Sequence, residues 1–158
     1  MRFIGSALVA STIVLGACGG GEKAPATDSA TPAAAPATAG TAAAITGTTH
    51  EVKMFGDEKG YRFEPKDLTI KAGDGIKFIY ISGGPHNVAF NATDIATDVK
   101  PQLDANMGAD KLAELSSKML MNANEFVVIS FANIKPGTYP FNCTPHLAMG
   151  MKGTVTVQ

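Results

Sequence analysis

The chain has 158 residues, 45% of them hydrophobic, with no tryptophan and a formal net charge of −1. This length allows one domain with a modest hydrophobic core. The charge is too close to neutral to indicate nucleic-acid binding or strong electrostatic attraction to anionic lipid, so we expect no nucleic-acid partner.

The first seventeen residues predict an export signal. Arg2 provides a short basic region, residues 3–15 are apolar, and Leu15-Gly16-Ala17 places small residues before Cys18. The apolar stretch would span about 20 Å as a helix, which is less than the roughly 30 Å hydrocarbon core of a membrane. We therefore expect residues 1–17 to be a signal peptide rather than a transmembrane helix.

The segment Leu15-Gly16-Ala17-Cys18 resembles the lipobox of bacterial lipoproteins. The resemblance implies that Cys18 becomes the lipid-modified first residue of the mature chain. The protein would then be exported and lipid-anchored on the periplasmic or extracellular side of a bacterial membrane. The alternative is an ordinary signal peptide in which Cys18 has no role. If Cys18 is acylated, Cys143 has no disulfide partner, and an unpaired thiol in an oxidising compartment is a liability unless a metal occupies it.

Residues 18–46 predict a flexible linker. The segment is rich in Ala, Pro and Thr and contains no aromatic residue, so it has too little apolar surface to fold. As a random coil it would reach on the order of 30 Å. We expect the folded domain to occupy residues 47–158.

Alternating apolar and polar residues predict short strands in the first half of the domain. Val52 and Met54 alternate with charged neighbours, and His50 lies at the domain edge, where we expect a surface histidine rather than a ligand. Two predicted strands, 68–71 and the mostly apolar 76–81, flank a Gly-rich turn, which favours a β-hairpin. A turn and a short strand over 87–90 follow.

Residues 91–122 are the least strand-like part of the domain. Four apolar residues fall near helical spacing: Met107, Leu112, Leu115 and Met119. Residues 109–121 are rich in helix formers, so we predict one helix in this stretch. We interpret Met119 and Met121 as core residues rather than metal ligands.

Strand periodicity returns after this connection. In residues 125–132, Phe126 and Val128 share one face, and three residues share the other: Val127, Ile129 and Phe131. Tyr139, Phe141 and Cys143 share one face of the next strand, so the parity that buries two aromatic rings also turns the Cys143 sulfur inward. Val155 and Val157 supply the last strand. Seven or eight short strands predict an all-β Greek-key β-sandwich with one short helix in a long connection.

A thiol, an imidazole and a thioether lie within nine residues, at Cys143, His146 and Met151, and His86 supplies a second imidazole from a distant stretch. Sulfur ligands together with imidazole favour copper, whereas magnesium and calcium prefer oxygen. Two His, one Cys and a weak Met are the ligand set of a blue copper centre. The sequence therefore predicts one copper ion cycling between Cu(I) and Cu(II). Binding requires the thiolate, so it should displace a proton.

Residues 143–151, Cys-Thr-Pro-His-Leu-Ala-Met-Gly-Met, resemble the copper loop of the plastocyanin and pseudoazurin branch of the cupredoxins. Pro-His-Asn-Val at residues 85–88 resembles the first-histidine segment of that branch. The similarity covers about residues 48–158. It implies a cupredoxin-like fold, a type 1 copper and Met151 as the axial ligand, with Met149 in the exposed loop beside it; the reverse assignment is the alternative.

Two further residues are expected to support the ligands. The resemblance implies that Asn87 hydrogen-bonds backbone and lies near the Cys sulfur, a contact that tunes the reduction potential. A simple turn asparagine is the alternative. Pro145 is expected to stiffen the ligand loop, because a fixed geometry lets electrons move with little rearrangement.

Two features of plant-type plastocyanins are missing. They carry a Tyr before the copper Cys, where this chain has Asn142, and a cluster of acidic residues that has no counterpart here. We therefore expect electrons to pass at the edge of His146, inside a small apolar rim. The rim residues are Pro85, Leu147, Ala148 and Met149. Such a rim suits brief contacts with a c-type cytochrome or a membrane redox complex.

The predicted function is electron transfer by a membrane-tethered monomer, not catalysis. A multicopper oxidase or nitrite reductase needs more than the three histidines present. A Cys-x-x-His nucleophile would leave His86 and Met151 without a role. Structural zinc disfavours a thioether, and haem attachment needs Cys-x-x-Cys-His. A periplasmic copper-delivery or storage protein is the open alternative, because delivery needs an exchangeable site and electron transfer a retentive one.

Overall fold

Two four-stranded β-sheets form a sandwich. The structure, a computed structural model, describes residues 41–158. The predicted signal peptide (residues 1–17), Cys18 and the predicted linker up to residue 40 lie outside the described residues. Within residues 41–158, no helix is both long enough and apolar enough to cross a membrane.

The described part contains eight strands, divided equally between the two sheets. The strands are β1 (Thr49–Asp57), β2 (Gly60–Glu64), β3 (Asp67–Ile70), β4 (Gly75–Tyr80), β5 (Ala89–Phe90), β6 (Phe126–Ser130), β7 (Gly137–Asn142) and β8 (Lys152–Val157). An α-helix, α1, covers Lys100–Asn106, and a 3-10 helix covers Thr144–Met149. One sheet has the order β2-β1-β4-β6 and the other β3-β8-β7-β5. This all-β sandwich with one short α-helix in a long connection confirms the predicted fold class.

Two-residue alternation sets the buried face of each strand. In β6, Val127 and Ile129 are buried whereas Phe126 and Val128 are exposed, as the sequence predicts. The inward faces meet in an aromatic cluster between the sheets. Phe63, Phe78 and Phe141 pack edge to face, with ring centroids 4.7 to 6.2 Å apart. Edge-to-face packing is a preferred geometry for aromatic pairs, and this cluster fastens β7 to the opposite sheet.

The predicted hairpin between residues 68–71 and 76–81 is wrong. β3 pairs in parallel with β8, whereas β4 pairs with β1 and β6 in the other sheet. The turn between them carries the chain from one sheet to the other. Asp74 in this turn accepts backbone hydrogen bonds from Lys71 (3.0 Å) and Thr48 (2.8 Å), which ties the turn to the start of β1. Two apolar runs around a turn do not distinguish a hairpin from such a crossover.

The predicted helix over residues 109–121 is also misplaced. The helix lies earlier, at Lys100–Asn106, with a proline in its first turn, where its missing N–H costs nothing. Residues 115–120 are irregular and run beside the His86 stretch instead. Leu120 exchanges two backbone hydrogen bonds with His86, at 3.0 and 2.8 Å. Met121 is 61% exposed, so its prediction as a core residue is wrong.

Residues 41–46, which the sequence assigns to the linker, lie against the domain. The backbone N–H of Ala43 donates to Oδ1 of Asn106 at 2.8 Å. Thr46 and Gly47 both donate to the carbonyl of Gly73, at 3.0 and 2.9 Å. Gly73 precedes β4, so these contacts lie at the end of the domain where that strand begins.

Candidate metal centre

Three donor atoms from two distant stretches converge at the other end of the domain. The side chains of His86, Cys143 and His146 are buried, and their donor atoms all lie within 4.8 Å of one another. The Cys143 sulfur is 3.5 Å from Nδ1 of His86 and 3.4 Å from Nδ1 of His146, and the two nitrogens are 3.2 Å apart. A triangle of this size leaves room at its centre for one ion at about 2 Å from each corner, the usual length of a metal–imidazole bond.

A short closed loop positions two of these donors. Cys143 directly follows β7 in extended conformation, and the 3-10 helix then turns His146 back towards it. The backbone N–H of His146 donates to the Cys143 carbonyl at 3.1 Å, and Cys143 N–H donates to the Met151 carbonyl at 3.0 Å. Pro145 lies in the first turn of this helix. Gly150 ends it at a φ of 84°, a left-handed conformation that glycine adopts without strain.

Burial separates the two methionines of the loop. Met151 is 0% exposed, whereas Met149 is 58% exposed. The Met151 backbone N–H donates to the His146 carbonyl at 3.2 Å, which turns the chain inward after the helix. The side chain of Met151 therefore lies in the interior, on a residue whose backbone bonds to both Cys143 and His146, and that of Met149 belongs to the surface.

His86 is fixed by a hydrogen bond on its outer nitrogen. Its Nε2 lies 2.8 Å from the backbone carbonyl of Ser82. A carbonyl only accepts, so Nε2 carries the proton, and the Nδ1 lone pair is left facing the Cys143 sulfur. Hydrogen bonds of this kind set the tautomer and orientation of histidine ligands.

Asn87 connects the His86 stretch to the loop. Its backbone N–H points at the Cys143 sulfur, 3.5 Å away. Its side-chain oxygen accepts from the backbone N–H of Thr144 at 2.8 Å, and its amide donates to the hydroxyls of Thr144 (3.1 Å) and Ser116 (3.0 Å). One buried side chain thus holds both halves of the donor cluster in register.

Burial shifts all three donors towards their neutral forms. Desolvation lowers the pKa of His86, and desolvation together with the neighbouring His86 lowers the pKa of His146. Burial raises the pKa of the Cys143 thiol, opposed in part by backbone N–H groups of Asn87 and His146. Two neutral imidazoles and a thiol facing one point suit a single cation, whose charge would favour release of the thiol proton.

The four residues of the predicted rim, three of which belong to the loop itself, are exposed. Leu147 is 51% exposed, and Pro85, Ala148 and Met149 are exposed as well. His50 lies outside the donor cluster: it is half-buried, with Nε2 2.9 Å from an Asp74 carboxylate oxygen.

Tyr61 is a neighbour of the site that the sequence did not reveal. Its ring stacks on that of His146, with centroids 3.8 Å apart and an angle of 15° between the planes. Tyr61 belongs to β2 and lies opposite Gly56 of β1. No local pattern indicates that a strand residue so early in the domain covers a loop near its end.

Comparisons with known proteins agree with this geometry. A family model described as copper binding proteins, plastocyanin/azurin family, matches residues 50–158. The plastocyanin of Nostoc punctiforme is 40% identical over 112 residues, which cover 70% of this chain and 74% of that protein. The chloroplastic plastocyanin of Physcomitrium patens is 40% identical over 106 residues, covering 67% of this chain but only 56% of that protein. Among solved structures, the oxidised plastocyanin of Dryopteris crassirhizoma matches with a TM-score of 0.54 and 30% identity, over 68% of this chain and 99% of that one.

Proposed function

The chain belongs to the plastocyanin/azurin family of copper-binding proteins, and we propose that it shuttles single electrons between redox proteins while tethered to a membrane. Its cofactor is one type 1 copper, and plastocyanin-like copper proteins are electron carriers. The observation that carries the proposal is the convergence of His86, Cys143 and His146 on one point.

We assign Nδ1 of His86, Sγ of Cys143 and Nδ1 of His146 as the strong ligands, with the thioether of Met151 as the weak axial one. Bound copper supplies a one-electron couple between Cu(I) and Cu(II). The chain's own contribution is to hold these donors still. The Asn87 hydrogen bonds and the closed loop keep one arrangement for both oxidation states, which limits the rearrangement that each transfer requires.

The exposed rim is the proposed contact surface for redox partners. The loop at residues 143–151 has no Asp, Glu, Lys or Arg, and Leu147 and Met149 present apolar surface beside His146. A small uncharged surface allows a partner to dock and leave quickly, as electron-transfer encounters require. A c-type cytochrome or a membrane redox complex is the class of partner proposed.

The membrane tether rests on the sequence before residue 41. We propose that Cys18 carries lipid and that residues 19–40 link it to the domain. Expressed as the full chain in a bacterium that processes lipoproteins, the protein should partition with membranes. Cys18→Ser should release it from that fraction or block its processing; a membrane-bound Cys18→Ser chain with the signal peptide removed would contradict lipid anchoring at this residue.

The function is tested first by loading the purified protein with Cu(II) and recording visible and paramagnetic spectra. Electron transfer requires an intense blue colour that survives a weak chelator, because the ion must stay bound through many turnovers. A colourless protein, or one that the chelator strips readily, would favour copper delivery or storage instead.

The contact surface is tested by Leu147→Glu. A charge in the apolar rim should slow electron transfer to a c-type cytochrome about tenfold, while the copper spectrum stays the same. Leu112→Glu is the matched control, since Leu112 is 56% exposed but lies outside the loop. An unchanged electron-transfer rate for Leu147→Glu, or an equal loss of rate in both variants, would show that the contact surface for redox partners lies elsewhere.

A further inference from the structure

The two imidazoles of the site are held in different ways. His86 has its outer nitrogen fixed by the Ser82 carbonyl. Among the described residues, the polar contacts of the His146 side chain are with the other two donors, through its Nδ1. Among the hydrogen bonds of residues 41–158, none reaches the outer nitrogen of His146. Its ring therefore lacks the restraint that usually orients a histidine ligand.

A stacked aromatic ring supplies that restraint. The Tyr61 ring lies nearly parallel to His146 at 3.8 Å, whereas it meets His86 only edge-on at 6.2 Å. Face-to-face contact over one imidazole blocks rotation of its plane and covers one side of it. The stack thus restrains the histidine whose outer nitrogen has no hydrogen bond within residues 41–158, and it does not cover the face of His86.

Two glycines pack against each other next to the Tyr61 ring. A Cβ on Gly56 would lie 2.6 Å from the Tyr61 ring and 2.7 Å from the backbone of Gly83. A Cβ on Gly83 would lie 2.1 Å from the Gly56 backbone, and Gly83 has a φ of 94°. The loop before His86 therefore packs directly on β1, and the missing side chain of Gly56 leaves room for the Tyr61 ring. Such close approach needs residues without side chains.

We propose that Tyr61 is a positioning residue for His146 and that its stack favours the oxidised site over the reduced one. This inference rests on the proposed function. The face of a phenol ring is electron-rich, and it attracts an electron-poor partner. A metal-bound imidazole is electron-poor, and more so beside Cu(II) than beside Cu(I). The stack therefore lowers the reduction potential as well as fixing the ring.

The test compares Tyr61→Leu, which removes the stack, with Tyr61→Phe, which keeps the ring and loses the hydroxyl. In the copper-loaded protein, Tyr61→Leu should change the ratio of Cu(I) to Cu(II) affinity about 2- to 10-fold in favour of Cu(I), the range expected for one aromatic pair. A tenfold change raises the measured midpoint potential by 59 mV. In Tyr61→Phe the ratio of Cu(I) to Cu(II) affinity should stay within about twofold of the wild-type ratio.

A second measurement uses the metal-free protein. Ring-current shifts of the His146 ring protons in NMR spectra should be present in the wild type and in Tyr61→Phe. They should disappear in Tyr61→Leu, or in Tyr61→Thr if the leucine variant does not fold. Phe55→Leu is the matched control, because it removes a ring of the same hairpin that faces Arg62 rather than a donor. It should leave both the potential and the His146 shifts unchanged.

The outcomes separate this inference from the proposed function. If the wild type forms a blue site but Tyr61→Leu keeps the wild-type potential and ring-proton shifts, the positioning role is overturned alone. A change of equal size in Tyr61→Phe or in Phe55→Leu would also overturn it, since the effect would not come from the stack. If the wild type forms no blue site, the proposed function fails and this inference with it.

Discussion

The two ends of β4 border two buried polar clusters of opposite character. Where the strand begins, the Asp74 carboxylate accepts hydrogen bonds from backbone N–H groups of Thr48 and Lys71 and lies 2.9 Å from His50 Nε2. Where it ends, the donor atoms of His86 and its two partners face one another across 3.2 to 3.5 Å. The first cluster pairs acceptors with donors. The second brings together atoms whose lone pairs need the same positive charge.

This difference separates a structural cluster from a binding site. A buried carboxylate surrounded by N–H groups is satisfied by the protein itself and stabilises the fold. Three lone-pair atoms pointing at one centre are satisfied together only by a cation placed between them. Asp74 is buried, as the three donors are, so the sign of the surrounding groups and not the burial of the central group distinguishes the two clusters.

Loss of the Cys143 sulfur should have the largest effect on the metal-binding end of the domain. Cys143→Ser keeps the size of the side chain but removes the thiolate that gives copper its intense colour. The blue absorption should vanish and Cu(II) affinity should fall more than about 100-fold, beyond the 10- to 100-fold cost of losing a supporting contact. Titration of the purified variant with Cu(II) measures both. A serine variant that keeps the absorption band would place the thiolate contact elsewhere.

A second variant pair tests the axial ligand. Met151→Leu fills the same space without a sulfur, so it should leave the fold intact and weaken Cu(I) binding roughly tenfold, since thioethers select Cu(I). Met149→Leu is the control and should change nothing, because Met149 lies on the surface. Competition with a Cu(I) chelator gives the affinities. A loss of Cu(I) affinity confined to Met149→Leu would identify Met149, and not Met151, as the axial ligand.

At the opposite end, Asp74→Asn should affect stability and not the metal. Backbone N–H from Lys71 and the side chain of His50 lower the pKa of Asp74 from 3.8 to about 2, with a further contribution from Thr48. A carboxyl whose pKa is lower in the folded state stabilises the fold above its unfolded pKa and loses that contribution as the pH falls through the folded one. The wild type should therefore lose stability between about pH 4 and pH 2.

In Asp74→Asn this acid-dependent loss should shrink, and Tm at neutral pH should drop by several degrees while the copper spectrum stays unchanged. Thermal unfolding from pH 7 to pH 2 follows the effect. A wild-type pH profile in the variant would show that other carboxyl groups govern acid unfolding.

The smallest effect concerns the coupling between the ends. β4 has six residues and spans about 20 Å, so substitutions at its two ends share no partner. The Tm changes of Asp74→Asn and Met151→Leu should add in the double variant to within about 2 °C. A larger departure would mean that the site and the far cluster are mechanically linked.

The metal donors were predictable from the sequence because residue type, strand parity and spacing within one loop identify them without knowledge of the fold. Cys143 follows two aromatics of the same parity, so its inward direction needs no knowledge of the fold. The spacing from Cys143 to His146 and Met151 lies within one loop. His86 is distant, but its residue type and the turn before it single it out.

The features that were missed depend on contacts between distant segments. Nothing local reveals that residues 68–71 pair with the last strand, since two apolar runs around a turn fit a hairpin equally well. Residues 109–121 contain helix formers, yet their backbone bonds to the His86 stretch instead. Tyr61 lies over His146 only in the folded chain, where its ring packs beside Gly56 and Gly56 packs against Gly83.

The predicted linker meets the domain beside Gly73, through the contacts of residues 41–47. The position of this attachment affects how far the copper site could lie from a membrane anchor. An anchor upstream would hold the protein at the end where β4 begins, whereas the donor cluster lies beyond the end of that strand. If the domain rotated about this attachment, the copper site would lie about 20 Å away from it, the length of β4. That distance would add to the reach of the linker.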